Sequence, residues 1–321
     1  MSETYFITGA QGCIGSWVVK AIAERGDVAV VFDRSADIRR LAAVMSAETI
    51  AQVKFILGDV TDTRRVREAV EESRASRLIH LAGLQVPACK SDPIAGATVN
   101  VIGTLNVFEA ARTQGIANVV YASSAAVYGY SDDGEALDET AQLGPTTHYG
   151  VFKQTNEGSA RIYFLDHGIS SAGLRPLTVY GVNRDTGLTS DPTKAMKAAV
   201  LSKPFHIRFG GSTDFQYVVD TAAAFIACAD HPLNGAHVFN LHGDSVEVAQ
   251  IAELINATAG EELVTFGGPP IPIAPQMDDK SIRQLIGDIP VTSLRDGVRQ
   301  TIALFSALRD EGRLETGDLN E

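Results

Sequence analysis

Cysteines, basic residues and long apolar runs are scarce in this sequence, and each shortage excludes a class of protein. The 321 residues include three cysteines, Cys13, Cys89 and Cys228, none of them in CxxC spacing. An odd, scattered set of thiols excludes a disulfide framework and is typical of a reducing, cytoplasmic compartment. No apolar run reaches the ~18 residues of a membrane span, and the N-terminus lacks the basic and apolar segments of a signal peptide. We therefore expect a cytoplasmic protein without a membrane anchor.

Acidic residues outnumber basic ones, 39 Asp and Glu against 27 Lys and Arg, so the net charge is −12. Such a surface repels nucleic-acid phosphates and anionic lipids, and we expect neither nucleic acid nor a membrane surface as a partner. The seven histidines show no HxxxH or HExxH spacing. The sequence therefore predicts no metal site. A hydrophobic fraction of 45% is ordinary for a globular protein, and the length predicts two domains or one large domain with an appended lobe.

The first half of the chain alternates apolar runs with helix-like segments. Continuous apolar runs, typical of strands buried on both faces, lie at 5–8, 28–32, 53–57, 78–81 and 119–122, with two more at 171–174 and 237–241. Alternation of this kind predicts right-handed crossovers and a parallel sheet. We predict an α/β fold: a Rossmann-type, doubly wound parallel sheet over residues 1–175 and a smaller C-terminal α/β substrate lobe over 176–310. The lobe interleaves with the last strands and helices of the sheet, and 311–321 is predicted to be a flexible tail.

Three glycines, Gly9, Gly12 and Gly15, follow the first apolar run and open the first helix. Such a turn lets backbone N–H groups and the positive end of a helix approach a pyrophosphate. The spacing alone arises by chance about 0.2 times in a chain of this composition. Its position after the first strand therefore carries the prediction of a dinucleotide site, with an ordinary glycine-rich turn as the alternative.

Acidic residues end the second and third apolar runs. Asp33 can accept hydrogen bonds from the adenosine ribose and repels a 2′-phosphate, which favours NAD. Arg34 follows it directly and can hold that phosphate, so NADP stays open as the less favoured cofactor. Asp59 can reach the adenine amino group, or it can cap the helix that begins near Thr63.

A tyrosine and a lysine four residues apart, Tyr149 and Lys153, share one face of a predicted helix. A phenol is a poor base at neutral pH, and a nearby cation lowers its pKa. Ser124 ends a strand, where its hydroxyl can orient a substrate oxygen. The Tyr–Lys pair alone is weak evidence for a catalytic site, because such pairs more often lie on an exposed helix surface. Its value comes from occurring together with the glycine turn.

In their order along the chain, these segments resemble the extended short-chain dehydrogenase/reductases of the NAD-dependent epimerase/dehydratase group. The matching segments are TGAQGCIG at 8–15, Asp33, GDV at 58–60, HLAG at 80–83, VNVIGTLNV at 99–107, YASSAAVYG at 121–129, YGVFK at 149–153 and RPLTVYG at 175–181. The resemblance runs from about residue 4 to 308. It implies an NAD-dependent enzyme with a small-molecule substrate, and a homodimer formed through the helices near 93–112 and 149–167.

The resemblance also implies roles for individual residues. Tyr149 would be the general acid/base, Lys153 would hold the nicotinamide ribose, and Ser124 would hydrogen-bond the substrate oxygen. Asn100 would anchor a proton-relay water, although a buried asparagine satisfied by the backbone fits equally well. The implied cofactor contacts are Gly9, Gln11, Gly12, Cys13, Ile14, Gly15, Asp33, Asp59, Val60, Leu81, Ala82, Gly83, Lys153, Pro176 and Val179. The implied substrate contacts are Gln85, Ser123, Ser124, Tyr149, Thr178 and Arg184.

Departures from the family pattern narrow the reaction. Ala125 and Ala126 stand where the 4,6-dehydratases carry an acidic pair, which argues against dehydration. Thr178, Thr213 and Gln85 replace an Asn, an Arg and a Lys that nucleotide-sugar members commonly have.

A diphosphate without cationic partners is costly to desolvate, so the substitutions point away from a nucleotide diphosphate, unless Arg184 or Arg208 compensates. We predict an NAD-dependent oxidoreductase acting on a secondary alcohol of a small polyol, sugar or sugar-derived substrate. An epimerase for a sugar or nucleotide sugar that retains its NAD is the alternative.

Overall fold

The computed structural model describes residues 2–129, 136–273 and 275–320. Residue 274 of the predicted lobe and residue 321 of the predicted tail lie outside the described residues. The strands of the described chain are β1 (Thr4–Thr8), β2 (Val28–Asp33), β3 (Lys54–Leu57), β4 (Arg77–His80), β5 (Asn118–Ala122), β6 (Ser170–Arg175), β7 (Thr178–Tyr180), β8 (Phe205–Ile207), β9 (Ser212–Tyr217), β10 (Ala236–Asn240), β11 (Asp244–Glu247) and β12 (Val264–Phe266).

The helices complete the described elements. They are α1 (Cys13–Glu24), α2 (Arg39–Ala42), α3 (Ala47–Ile50), α4 (Thr63–Ser73), α5 (Val86–Ser91), α6 (Pro93–Ala97), α7 (Gly103–Gln114), α8 (His148–His167), α9 (Asp191–Val200), α10 (Val218–Asp230), α11 (Val248–Ala259), α12 (Lys280–Ile286) and α13 (Leu294–Asp310). A π-helical turn, Thr98–Ile102, joins α6 to α7.

In the described residues, a seven-stranded parallel sheet has the order β10-β6-β5-β4-β1-β2-β3. The order reverses beside β1, because the chain passes from β3 back across β1 and β2 to β4. Thr8 at the end of β1 pairs with Phe32 of β2 and with His80 of β4. Ligands of doubly wound folds bind at such a switch point, outside the carboxyl ends of the strands. The prediction of a Rossmann-type doubly wound sheet is confirmed.

Side-chain alternation along the strands divides the core between the two faces of the sheet. Tyr5 and Ile7 of β1 pack with α1 and α10 in the larger core. Phe6 of β1 and Val30 of β2 pack with α4 and α7 in a second core. Because successive side chains of a strand point to opposite faces, burial on both faces produces the continuous apolar runs seen in the sequence.

The second half of the chain contributes strands to three sheets. β10 extends the central sheet beside β6. β7, β9 and β11 form a three-stranded sheet, and β8 pairs with β12. The indole of Trp17 on α1 donates to the carbonyl of Val182 at 3.0 Å, which ties the first helix to the loop after β7. The boundaries at 175 and 310 stay a prediction, since the central sheet draws on both sides of residue 175.

The helical stretch Pro93–Gln114 is long and apolar enough to cross a membrane by length and composition. Half of its most apolar window is buried in the protein, and α7 packs against α4 and α8. The second core accounts for the buried half of this stretch, whereas Ile94 and Ile102 on it are exposed.

The segment after α13, expected as a tail, lies against the protein where the structure describes it. A short 3-10 turn spans Gly317–Asn320, and the carboxylate of Asp318 pairs with the buried ammonium of Lys197 at 2.7 Å. Leu314 packs against the larger core.

Candidate active site

The glycine turn after β1 is shaped by close backbone approach. Gly9 has a φ of +64°, and a Cβ there would lie 2.5 Å from the amide nitrogen of Ala82. A Cβ on Gly15 would lie 2.3 Å from the carbonyl oxygen of Gly9. Only glycine fits these two positions, because the turn is pressed between the start of α1 and the end of β4. The first turn of α1 is thereby held open at the sheet edge.

A cavity of about 650 Å³ opens beside this turn at the switch point. Nine of the predicted cofactor residues line it: Gly9, Gln11, Gly12, Asp33, Asp59, Val60, Leu81, Ala82 and Gly83. The amide nitrogen Nε2 of Gln11 is buried without a hydrogen-bond partner. An orphaned donor beside a glycine turn fits the oxygens of a dinucleotide, and the residues present therefore suit NAD.

The acidic residue that ends β2 and the one that lies two residues after β3 both line this cavity. Asp33 accepts the backbone N–H of Gln11 through Oδ2 at 3.2 Å and that of Arg34 through Oδ1 at 2.8 Å. Asp59 accepts the N–H of Thr61, whereas the N-cap of α4 is Asp62. The alternative of Asp59 as the cap of that helix is therefore wrong.

Other predicted cofactor residues lie behind the cavity. Cys13 and Ile14 pack against the larger core, and Val179 is 5% exposed within it. The carbonyl of Pro176 accepts the N–H of Ala125 at 3.1 Å, joining the ends of β5 and β6. The cofactor contact of Val179 stays a prediction, since burial of its side chain in the core leaves its backbone at the end of the sheet.

Tyr149 and Lys153 lie on the first turns of α8, where Thr147 caps the helix by accepting the N–H of Gly150. The ammonium of Lys153 donates to the carbonyl of Ala122 at 2.6 Å and lies 5.5 Å from the centre of the Tyr149 ring. Ser124 lies close enough to Tyr149 to act on the pKa of its phenol. The structure thus brings together the three residues that the sequence singled out.

Burial sets the titration of this group. It raises the pKa of the Tyr149 phenol, while the hydroxyl of Ser124 and the charge of Arg184 act in the opposite direction. Burial also lowers the pKa of Lys153 to about 8. Arg184 is therefore a second cation that acts on Tyr149, in addition to Lys153 at 5.5 Å from the centre of its ring.

Asn100 lies in the π-helical turn and is fully buried. Its side-chain amide pairs with both backbone groups of Leu84, accepting at 2.8 Å and donating at 2.9 Å. Asn100 is therefore the buried asparagine satisfied by the backbone that the sequence analysis gave as the alternative. Its side chain fixes the segment after β4 beside the site.

Ser123 does not face the cleft. Its hydroxyl donates to Glu157 at 2.5 Å, and Glu157 accepts a bidentate ion pair from Arg175, with Nη2 to Oε2 at 2.7 Å. Arg175 is 2% exposed, and its guanidinium also lies over the Tyr128 ring. The prediction of Ser123 as a substrate contact is corrected, because a buried ion pair claims its hydroxyl. The spacing of Glu157, one helical turn after Lys153, was the available signal.

Thr178 is also withdrawn from the cleft. Its hydroxyl pairs with that of Thr213 at 2.8 Å, and both residues are fully buried. The prediction of Thr178 as a substrate contact is corrected. The two threonines satisfy each other at the positions where the sequence analysis looked for a diphosphate contact.

Gln85 and Arg184 converge at Gly187. A Cβ there would lie 1.9 Å from Oε1 of Gln85 and 3.2 Å from Nη2 of Arg184. Nη2 donates to the hydroxyl of Thr189 at 3.0 Å, whereas Nε is buried without a partner.

A salt bridge that the sequence analysis missed forms part of the cavity lining. Arg40 on α2 forms a bidentate pair with Asp185 of the loop after β7, at 2.7 Å from Nη2 to Oδ1 and 3.0 Å from Nε to Oδ2. Arg40 also donates to the carbonyl of Gln11 at 3.3 Å, and Asn183 donates to the carbonyl of Arg40 at 2.9 Å. We call this set of four residues the clasp. Since 145 positions separate Arg40 from Asp185, no local pattern could have found it.

A buried polar chain beneath the glycine turn was also missed. Thr8 and Thr104 flank the ring of His80, at 2.6 Å from Nδ1 and 3.0 Å from Nε2. The Thr104 hydroxyl donates to the carbonyl of Asn100, so it accepts from Nε2–H, and Nδ1 accepts from Thr8. Burial lowers the pKa of His80 to about 3, which keeps the ring neutral.

The switch-point cavity, the glycine turn and the Ser–Tyr–Lys group define a dinucleotide-dependent enzyme of the extended short-chain dehydrogenase/reductase type. The model of the NAD-dependent epimerase/dehydratase family matches residues 5–241, and the chain belongs to this family. The predictions of the family and of NAD as the cofactor are confirmed.

Relatives share most of their length with this chain. A UDP-glucose 4-epimerase of Mycolicibacterium smegmatis is 29% identical over 93% of this chain and 97% of its own. The structure of a Thermus thermophilus UDP-glucose 4-epimerase with NAD has a TM-score of 0.82 at 24% identity, covering 94% of this chain and 98% of that one. A partial consensus L-threonine 3-dehydrogenase has a TM-score of 0.81 at 24% identity, covering 95% and 99%. At this identity the two structures share the fold, which serves more than one reaction.

Proposed function

We propose that this protein is an NAD-dependent epimerase that inverts a secondary alcohol carbon of a sugar or sugar derivative while its cofactor stays bound. Curated relatives named as UDP-glucose 4-epimerases support an epimerase, rather than the dehydrogenase favoured by the sequence alone. The observation that carries the proposal is the clasp, because an epimerase must keep its cofactor from one turnover to the next.

The clasp joins the segment after β2 to the loop after β7 beside the glycine turn. Arg40, Gln11, Asn183 and Asp185 all line the cavity that suits the dinucleotide. A dinucleotide in that cavity would be enclosed by both segments. Its release would then require the bidentate pair to open, and that requirement slows dissociation.

Tyr149 is the acid/base of the proposed reaction. NAD, when bound beside the glycine turn, would supply the hydride acceptor and donor that inversion of the alcohol carbon requires. Tyr149 accepts the hydroxyl proton as the ketone forms, and it gives the proton back as the alcohol is restored. Ser124 orients the reacting oxygen, and Lys153, fixed by the carbonyl of Ala122, holds a positive charge beside the phenol.

The experiment measures cofactor retention and turnover on the same sample. We expect the purified protein to carry about one NAD per chain and to interconvert a pair of C4-epimeric sugars with no lasting change in absorbance at 340 nm. Tyr149→Phe should lower kcat by about 10²- to 10⁴-fold. The matched control is Tyr163→Phe on the same helix, where the hydroxyl bonds Glu109 away from the cleft. Full activity in Tyr149→Phe would overturn the mechanism.

A dehydrogenase for a small polyol, sugar or sugar-derived substrate is the second candidate. The buried Thr178–Thr213 pair favours it, because these positions offer no cation to a nucleotide diphosphate. It would release its cofactor at each turnover. Absorbance at 340 nm that rises in proportion to added NAD and substrate, with no epimer formed, would select this candidate.

We also infer a cytoplasmic homodimer. The cysteines Cys13, Cys89 and Cys228 are all free thiols. Five large apolar residues are exposed on the helical stretch Pro93–Gln114 and on α8, a set we call the helix-face stripe: Ile94, Ile102, Val151, Ile162 and Leu165. Exposed apolar surface on two adjacent helices is suited to a second copy of the chain.

A further inference from the structure

An arginine beside the acid/base has no anionic partner. The Nε of Arg184 is buried and makes no hydrogen bond, and Nη2 is held by the neutral hydroxyl of Thr189 at 3.0 Å. Among the described residues, no carboxylate forms an ion pair with Arg184. A buried guanidinium donor left open is costly unless a ligand supplies the acceptor.

The charged side chains near Arg184 already have partners within the protein. Asp185, next in the chain, is held by Arg40, and Arg208 pairs with Asp191 at 2.7 Å. Lys153 donates to the carbonyl of Ala122. One guanidinium matches one negative charge, whereas a diphosphate would require more cationic partners. The open edge of Arg184 therefore suits a carboxylate.

The position of Arg184 places that carboxylate on the substrate. Its charge acts on Tyr149, and its Nη2 and the amide oxygen of Gln85 meet at Gly187. Any side chain at Gly187 would strike Gln85 first. Gln85 also lies two residues after Gly83, where a Cβ would be 3.6 Å from Nζ of Lys153. The wall formed by Gln85, Arg184 and Thr189 is therefore close to the acid/base group.

The pyrophosphate of the cofactor is the rival source of an anion. Arg184 also acts on Cys13, in the first turn of α1. The cavity lining includes Asn183 and Asp185 but does not include Arg184. The Kd for NAD in an Arg184 variant distinguishes this source of the anion from a substrate carboxylate.

We propose that Arg184, with Gln85 beside it, binds a carboxylate of the substrate, so that the substrate is a sugar acid rather than a neutral sugar or a nucleotide sugar. The inference rests on the proposed function, since it names the substrate class of the same site.

The test compares three pairs of C4 epimers that differ in charge. The probes are D-glucuronate with D-galacturonate, D-glucose with D-galactose, and UDP-glucose with UDP-galactose, each given to the NAD-loaded protein. Wild type is compared with Arg184→Gln and with Arg64→Gln, which removes an arginine 81% exposed on α4. Epimer formation, absorbance at 340 nm and the Kd for NAD are measured for each protein.

We expect the acid pair to be converted with a kcat/KM at least about 100-fold above that of the neutral pair, as for the gain of a charged hydrogen bond in a buried site. Arg184→Gln should raise KM for the acids about 30-fold, as for loss of that bond, and leave NAD binding within about twofold. Arg64→Gln should match wild type.

Preferential conversion of the neutral or the UDP-linked pair would overturn this inference and leave the proposed function standing. A tenfold weaker Kd for NAD in Arg184→Gln, with KM for the acids unchanged, would assign the arginine to the cofactor instead. If no pair is converted and absorbance stays flat with NAD bound, the proposed function fails and this inference fails with it.

Discussion

Opening the clasp should release NAD faster, and a double-mutant cycle measures how much the ion pair contributes. The changes are Arg40→Gln, Asp185→Asn and both together. The pair is bidentate, with Arg40 36% and Asp185 24% exposed, so solvent screens it only in part. Such a pair is worth ~1 kcal/mol, at the upper end for partly exposed ion pairs. That coupling corresponds to about a fivefold change in the NAD release rate.

The single changes do not measure the pair, because each also alters the charge near the pyrophosphate. Arg40→Gln removes a cation that attracts the cofactor, whereas Asp185→Asn frees that cation and strengthens the attraction. The cycle cancels these separate effects, because each of them recurs in the double variant. We therefore expect the double variant to release NAD more slowly than the product of the two single effects requires.

The assay follows NAD release from the loaded protein into an excess of a coupled dehydrogenase that consumes free NAD. Glu68→Gln is the control, because Glu68 pairs with Arg64 on α4, and neither residue lines the cavity. A double variant whose release rate equals the product of the single effects would show that the clasp does not retain the cofactor. The proposal of a bound cofactor would then lose its structural support.

Three further outcomes follow from the described contacts. NAD affinity should fall as pH rises through about 8, because burial lowers the pKa of Lys153 to about 8 and its ammonium is lost above that pH. Titration with NAD between pH 7 and 10 measures the change in Kd. A Kd that stays constant over this range would contradict the prediction. The pKa of His80 is lowered to about 3, so the unfolded chain binds a proton first, near ~6.5. The free energy of unfolding that His80 contributes above pH ~6.5 should be lost as pH falls towards about 3, by on the order of 3 kcal/mol at pH 4. Urea unfolding should show that His80→Gln loses less stability over this pH range than wild type. Equal losses in the two proteins would refute the prediction. Leu165→Asp in the helix-face stripe should give a monomer by light scattering. Val291→Asp should leave the mass unchanged, because Val291 is 52% exposed and is not part of the stripe. An unchanged mass in Leu165→Asp would reject the stripe as the interface.

The central sheet was predictable because its strands carry their own signal. A parallel strand covered on both faces must be apolar at every position, as in the VAVVF run of β2. Close backbone approach at Gly9 and Gly15 leaves a second signal, since no other residue fits there. Both signals are local, and the sequence displays them directly.

The strands of the lobe escaped prediction because their buried side chains are polar. β9 buries Thr213, Asp214 and Gln216, a composition that is more typical of a loop. Asp214 is satisfied by the backbone N–H of Gly243 at 2.8 Å and by the hydroxyl of Ser245 at 2.9 Å. These partners lie 29 and 31 residues away, so the chain must fold before the strand can be recognised. The Arg40–Asp185 pair was missed for the same reason.

Thr178 with its partner Thr213, and Arg184 with its unpaired Nε, together favour a substrate carboxylate over a nucleotide diphosphate. Thr178 and Thr213 close on each other and offer no charge, which removes a place for a diphosphate. Arg184 keeps a buried donor free, which creates a place for a single anion beside Tyr149. A site that lost only the diphosphate contacts would bind neutral sugars. An arginine with no role in binding would be expected to form an ion pair with a neighbouring carboxylate. Because Asp185 is adjacent yet is held by Arg40, the clasp both encloses the cofactor cavity and leaves Arg184 available for the substrate.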